Sequence, residues 1–205
     1  MSGLLGHSGR TGNMGQIGTG EILVSDVVQN SGSECVVDNV FTNEFRDYKI
    51  VVTQVSGTAS AQWLIKFIHE DGTSSGTNYR HVQGGCEGHN TGQNNDQVIK
   101  NWNTGEANIT VPGGSVNNDL ASGGACYTFT VHGPRSTETH KSMTIQSGMM
   151  RTGGDVSHAA SGYFLDTTTA SVQFRGFKLY PSTGNVQRCR VATYGYRNTK
   201  HYQII

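Results

Sequence analysis

The densest group of side chains that could do chemistry lies between residues 81 and 89. This short segment contains His81, Cys86, Glu87 and His89, which are the kinds of side chain that bind zinc. Their spacing matches no standard zinc motif, and the segment is rich in glycine. We therefore favour a solvated or interface loop over a metal centre, and we predict neither a metal nor a cofactor.

The residue spacings that are typical of other catalytic sites are also missing from the sequence. No G-x-S-x-G motif marks a serine nucleophile, and the N-terminal glycines form no phosphate-binding loop. Serine, histidine and aspartate residues are plentiful, but the sequence does not tell which of them meet in space. No pair suited to glycoside hydrolysis stands out among the 15 acidic residues. We predict that the chain is not an enzyme, and a hydrolase acting on a surface polysaccharide is the rival hypothesis.

Composition and charge argue against several classes of partner. The chain has 15 basic and 15 acidic residues, so no basic field attracts nucleic acid or an anionic membrane. No apolar run approaches the roughly 20 residues that span a bilayer, and no signal-peptide pattern is present. We expect the chain to be made in a cytoplasm. Its four cysteines should then be free, buried thiols, with a disulfide formed after lysis as the minor alternative.

Hydrophobic alternation predicts β-strands along most of the chain. Glycine makes up 28 of 205 residues, about double the usual share of roughly 7%, which favours turns and strands over helices. The alternation is weakest between residues 79 and 125. Short strands separated by turn signals indicate a β-sandwich or barrel. The clearest alternation falls in three groups: Tyr48, Ile50 and Val52; Trp63, Ile65 and Phe67; and Tyr127, Phe129 and Val131.

The C-terminal segment, residues 171–197, contains two β-type runs around a turn at residues 181–185. Proline presets such a turn, and glycine and asparagine tolerate positive φ, so the segment is predicted to form a hairpin. Within the first run the alternation changes phase at Gly176. We expect a β-bulge at that glycine.

The first 20 residues differ from the rest of the chain. They contain seven glycines and show neither a helical nor a strand period. We divide the chain into an extended N-terminal arm, residues 1–20, and a β-sandwich, residues 21–205. A disordered terminus is the simpler interpretation of this segment. We favour a strap on a neighbouring subunit or on a capsid, with contacts through Leu4, Leu5, Met14 and Ile17.

A few aromatic residues are candidates for contact with a ligand or a partner. Trp102 lies between two asparagines, in the polar middle of the chain. Aromatic rings of this kind can stack on sugars or anchor an interface, although many of them cap a sandwich instead. The residues that we single out for a glycan or a partner are Tyr79, Trp102 and Tyr202.

Two segments resemble a known family. Residues 38–52 read DNVFTNEFRDYKIVV, and residues 172–185 read VQFRGFKLYPSTGN, with Tyr194-Gly195-Tyr196 following. They are similar to the opening and closing segments of jelly-roll virion structural proteins of tailed phages. That family includes capsid decoration (cement) proteins, head-fibre modules and tail-fibre tips, and its members are often trimeric.

The resemblance implies an all-β protein, a jelly-roll-like antiparallel β-sandwich, located in the virion. We expect a trimeric capsid decoration protein that binds the major capsid protein or other virion proteins. A compact domain without a coiled-coil shaft suits a knob on a shell better than a fibre. The alternative is the receptor-binding tip of a tail or head fibre that recognises a host surface glycan.

Overall fold

The computed structural model describes residues 20–74, 79–88, 101–111, 116, 124–139, 141–150, 156–165 and 171–197. Among these residues there are twelve strands and no helix, so the predicted all-β class is confirmed. The strands are β1 (Glu21–Gln29), β2 (Cys35–Val37), β3 (Phe45–Gly57), β4 (Trp63–His69), β5 (Tyr79–Gly88), β6 (Asn101–Glu106), β7 (Ile109–Thr110), β8 (Ala125–His132), β9 (Lys141–Met150), β10 (Val156–Leu165), β11 (Phe174–Pro181) and β12 (Val186–Arg197).

The strands form two antiparallel sheets that pack together as a sandwich. The larger sheet has the order β1-β12-β3-β8-β9-β10-β5-β6, and the smaller has the order β2-β11-β4-β7. Strands β1 and β2 are edge strands of their sheets, and they contact each other. The predicted arm lies outside the described residues except for Gly20, so it stays a prediction.

The core between the sheets is built by the strand alternation that the sequence shows. Because successive side chains point to opposite faces of a strand, every second residue is buried. The three predicted groups are all buried: Tyr48, Ile50 and Val52 on β3; Trp63, Ile65 and Phe67 on β4; and Tyr127, Phe129 and Val131 on β8.

The glycine-rich segment around His81 is not a loop, and that part of the sequence prediction is wrong. Residues 81–88 belong to β5, which pairs with β10 on one side and with β6 on the other. These ladders satisfy the backbone donors and acceptors of a segment whose glycines would otherwise disfavour a strand. Composition could not reveal the pairing because the pairing depends on contacts between segments that are distant in the sequence.

The predicted C-terminal hairpin is also wrong. Strand β11 belongs to the smaller sheet and β12 to the larger, so the turn between them crosses from one sheet to the other. The turn is held by neighbouring loops: Ser182 N donates to the carbonyl of Gln62 at 2.7 Å, and Asn185 N donates to Thr58 Oγ1 at 2.9 Å. Proline, glycine and asparagine predict a turn at residues 181–185, but they do not determine which strand pairs with the segment on each side of the turn.

The β-bulge predicted at Gly176 is confirmed. The register of β11 against β4 shifts between Phe174 and Gly176. A Cβ atom at Gly176 would clash with the backbone carbonyl oxygen of Val37. Glycine therefore lets the connection after β2 approach the bulge closely.

Candidate functional site

The two family-like segments, distant in sequence, lie against each other in the fold. The carbonyl oxygen of Arg175, in the bulge, accepts hydrogen bonds from Val40 N at 2.8 Å and from Phe41 N at 3.0 Å. The Arg175 guanidinium also donates to both carboxylate oxygens of Asp38, at 2.9 and 2.7 Å. These hydrogen bonds lower the pKa of Asp38 below its ordinary value. Such two-pronged ion pairs fix orientation as well as distance.

An aromatic cluster made of Phe41, Tyr48, Phe67 and Phe177 packs behind this contact. The ring centroid of Phe41 lies 4.8 Å from that of Tyr48, 6.1 Å from that of Phe67 and 5.9 Å from that of Phe177. All four residues are buried. The Tyr48 hydroxyl donates to the Thr42 carbonyl at 3.0 Å, so its polar end is satisfied. The cluster thus joins residues 38–52 to the C-terminal segment through the core.

Ion pairs tie the edge strand β1 to its own sheet. On β1, Asp26 forms two hydrogen bonds with Arg190 of β12, at 3.1 and 2.7 Å. Glu21 accepts hydrogen bonds from Lys49 at 2.9 Å and from Tyr196 at 3.0 Å. The contacts of these carboxylates with Arg190 and with Lys49 lower their pKa values. Much of the charge at this side of the sandwich is therefore neutralised within the chain.

The edge strands β1 and β2 carry the exposed large apolar side chains of the described residues. Leu23 and Val28 on β1 are each 54% exposed, and Val36 on β2 is 43% exposed. We call Leu23 and Val28 of β1 the apolar edge. A long edge strand with exposed apolar side chains is a surface that favours contact with another chain.

A polar cleft of about 610 Å³ opens at one end of the larger sheet. One wall is the connection into β3, the other is the turn between β8 and β9, and the ends of β3, β8 and β9 form the base. Pockets for drug-like molecules are mostly apolar, whereas this cleft is lined mainly by charged and hydroxyl groups. The lining residues are Asn43, Phe45, Arg46, Asp47, His132, Gly133, Arg135, Ser136, Glu138, Thr139 and Ser142.

Three residues at the base of the polar cleft lie directly opposite one another on three adjacent strands of the larger sheet. Asp47 of β3 is paired with His132 of β8, and His132 is paired with Ser142 of β9. His132 Nδ1 lies 3.3 Å from Asp47 Oδ1. The same Asp47 oxygen accepts a hydrogen bond from Gly133 N at 3.2 Å. Sequence analysis missed this row because the three strands pair only in the fold.

The turn between β8 and β9 is held mainly by its own hydroxyl groups. Ser136 Oγ accepts hydrogen bonds from Thr139 N at 3.1 Å and from Thr139 Oγ1 at 2.8 Å. Arg135 Nε lies 3.4 Å from Asn43 Oδ1, and its guanidinium also pairs with Glu70. Arg135 therefore links the two walls of the polar cleft.

Most of the residues predicted to contact partners belong to none of the features described above: the contact between the family-like segments, the apolar edge and the polar cleft. Leu4, Leu5, Met14, Ile17 and Tyr202 lie outside the described residues. The backbone of Trp102 is paired with Val82 in the β5–β6 ladder. The contacts predicted for these residues stay predictions.

Tyr79 is a correction to the sequence analysis. Its side chain is 0% exposed, and its hydroxyl accepts a hydrogen bond from Phe67 N at 3.0 Å. The ring fills the core instead of facing a glycan or a partner. The alternation around this residue was too weak to show which face of β5 is buried.

The described part of the chain contains no grouped metal ligands and no membrane-spanning helix. There, no three His, Cys, Asp or Glu side chains are grouped so that they could hold a metal ion. His81 and Cys86 lie in β5, while His89 lies outside the described residues, so the prediction that this segment binds no metal stays untested. No described helix is long and apolar enough to cross a membrane.

Three of the four cysteines, Cys35, Cys126 and Cys189, are free thiols in two different environments. Cys35 and Cys189 are buried, and Cys126 is exposed. The contact with Cys35 and burial together raise the pKa of Cys189 well above its usual range. The core therefore holds the Cys189 thiol in its protonated form.

Comparison of the chain with known protein families, with characterised proteins and with solved structures gave no match.

Proposed function

We propose that this chain is a phage virion structural protein, and within that class a trimeric capsid decoration protein. The observation that carries the proposal is the meeting of the two family-like segments at Asp38, Phe41, Arg175 and Phe177. A resemblance scattered by chance over unrelated surface loops would not be expected to form one packed unit. The segments that carry the resemblance are instead the ones that hold the sandwich together.

We further propose that the sandwich is a jelly roll. The order of eight strands supports this: β1, β2, β3, β4, β7, β8, β11 and β12. If these eight strands are renumbered 1 to 8 along the chain, strand 1 pairs with strand 8 and strand 2 pairs with strand 7. The two sheets then have the orders 1-8-3-6 and 2-7-4-5. This is the pattern of a long antiparallel hairpin rolled into two four-stranded sheets, as in viral capsid domains. On this proposal, the hairpins β5–β6 and β9–β10 are insertions that widen one sheet.

The apolar edge is the surface that we assign to contact with the shell or with neighbouring copies. Its apolar side chains are exposed while the nearby charges of Asp26 and Glu21 are already paired within the chain. Burying them against another subunit therefore requires little desolvation of unpaired charge. Because the protein would bind only the assembled shell, mass action would stabilise that shell against disassembly. The role needs no catalysis, no cofactor and no nucleic acid.

Shell binding by edge variants tests this role. We expect Leu23→Glu and Val28→Glu each to lower the affinity for shells stripped of this protein about tenfold or more, because each places a charge in an apolar contact. The matched control is Gln146→Glu, which adds the same charge at an exposed position of β9 in the same sheet. Full binding by the edge variants would exclude the apolar edge as the contact. Absence of wild-type binding to any shell would contradict the decoration role itself.

A second candidate is the receptor-binding tip of a tail or head fibre. The polar cleft favours it, because planar polar side chains such as Asn43, Asp47 and His132 suit the hydroxyl groups of a sugar. A glycan array with the purified protein tests this role. Loss of glycan binding in Asn43→Ala would locate the sugar in the polar cleft, and loss in Trp102→Ala would support the aromatic contact predicted from the sequence. Failure of the wild-type protein to bind any glycan would count against this candidate.

A further inference from the structure

The polar cleft brings an aspartate, a histidine and a serine to one end of the larger sheet. Asp47, His132 and Ser142 all line the cleft, and they lie directly opposite one another on three adjacent strands. Directly paired residues of antiparallel strands have Cβ atoms roughly 4.5–5.5 Å apart, on the same face of the sheet. His132 therefore lies between a carboxylate on one side and a hydroxyl on the other.

The position of Asp47 suits it to orient the imidazole. Its Oδ1 atom is 3.3 Å from Nδ1 of His132 and is also held by the backbone N–H of Gly133 at 3.2 Å. A carboxylate at Nδ1 leaves Nε2 as the basic nitrogen, and the neighbour of His132 on the opposite strand is Ser142. This is the division of roles found in nucleophile, base and orienting-carboxylate sites on unrelated folds.

The surrounding charges fit the chemistry of acyl transfer. The Arg46 side chain lines the cleft, is 74% exposed and lies 4.0 Å from Asp47, so it adds positive charge beside the row. A developing oxyanion is stabilised by such a charge. Thr139 and Ser136 of the facing turn offer hydroxyl groups. The lining therefore favours an ester with a polar acid or alcohol part over a lipid ester.

We propose that Ser142 is the nucleophile of an ester-hydrolysing site in which His132 is the base and Asp47 is the positioning residue. Ser142 Oγ attacks the ester carbonyl carbon while its proton moves to His132 Nε2. The bond from the carbonyl carbon to the alcohol oxygen breaks, and the alcohol leaves with that proton. Water then attacks the acyl-serine, releases the acid and restores the serine hydroxyl. This activity would overturn the sequence-based prediction that the chain is not an enzyme.

The test uses the full chain and two probes. A fluorophosphonate reacts with an activated serine by forming an oxygen–phosphorus bond and releasing fluoride, and peptide mass spectrometry locates the label. Hydrolysis of 4-nitrophenyl acetate measures turnover. We expect labelling at Ser142, loss of label and turnover in Ser142→Ala, and a fall in kcat of about 10²–10⁴-fold in His132→Gln.

Two further variants distinguish a role of Asp47 in positioning His132 from a purely structural role. Asp47→Asn keeps an oxygen that can accept the hydrogen bond from Gly133, so we expect an unchanged melting temperature and KM but a kcat at least tenfold lower. Thr144→Ala, two residues along β9, should keep wild-type labelling and turnover. The proposal is overturned if Ser142 of the folded protein is not labelled, or if His132→Gln and Asp47→Asn leave its labelling unchanged.

Discussion

The aromatic cluster and the polar cleft are neighbours of opposite character, built in part by the same stretch of chain, residues 41–48. Phe41 and Tyr48 point into the core, where both are almost completely buried. Asn43 and Asp47 line the cleft at the end of the larger sheet. One connection can therefore stabilise the fold through its inner side chains and supply polar groups for binding through its outer ones. Substitutions on the two sides should therefore have separable effects.

The largest expected effect is on the buried side. Phe41→Ala removes a ring that contacts three other aromatic residues, so we expect the free energy of unfolding to fall by about 3–5 kcal/mol. Urea denaturation followed by fluorescence measures this change. Val36→Ala, at a 43% exposed position, is the control and should change stability by no more than about 0.5 kcal/mol. Equal effects of the two substitutions would show that Phe41 does not anchor the core.

A second prediction concerns the bulge that joins the two family-like segments. Gly176→Ala places a methyl group against the carbonyl of Val37, so we expect a loss of about 1–3 kcal/mol in the free energy of unfolding. Gly20→Ala is the matched control, because a Cβ atom there would meet nothing within 4 Å. Thermal denaturation compares the two variants. A stable Gly176→Ala protein would mean that the approach of the two segments is looser than described.

The ion pair between Asp38 and Arg175 should make stability depend on pH. Hydrogen bonds from Arg175 lower the pKa of Asp38 in the folded chain below its ordinary value of 3.8. The stabilisation is therefore complete above the unfolded-state pKa and is lost as the pH falls through the lowered, folded-state pKa. Because this ion pair is screened by solvent, we expect Asp38→Asn to lower the free energy of unfolding by about 0.5–1 kcal/mol at neutral pH and to flatten the acid limb of the stability curve.

Denaturation midpoints at several pH values between 2 and 7 would measure this effect. The difference between wild type and Asp38→Asn should shrink toward acid pH. A difference that stays constant over this range would show that the charge of Asp38 contributes nothing to folding.

The smallest expected effect on stability is at the outer face of β8. Cys126 is exposed, so Cys126→Ser should change the free energy of unfolding by no more than about 0.5 kcal/mol. In the folded protein N-ethylmaleimide should modify Cys126 and leave the buried Cys35 and Cys189 untouched, because the reagent cannot reach a thiol that is buried in the core. Peptide mass spectrometry distinguishes the three sites. Rapid modification of Cys189 would contradict its place in the core.

The sequence predicts the inner side of the molecule better than the outer side. Alternation identified the buried faces of β3, β4 and β8, and the phase change located the bulge at Gly176. Burial is a local property of every second residue, so it leaves a trace in the sequence. The all-β class followed from that trace.

Strand pairing and the polar cleft depend on contacts between distant parts of the chain, which leave no such trace. The partners of β5 and the sheet change between β11 and β12 could not be derived from local turn and strand signals. In the same way, Asp47 and His132 become neighbours only because β3 pairs with β8.

Cryo-electron microscopy of virions that contain this chain tests the central claim most directly. Our account predicts density for the sandwich repeated over the icosahedral shell, with the apolar edge of β1 against a neighbouring subunit. Density confined to the tail or to a single vertex, or absence of the chain from purified virions, would contradict the assignment as a capsid decoration protein.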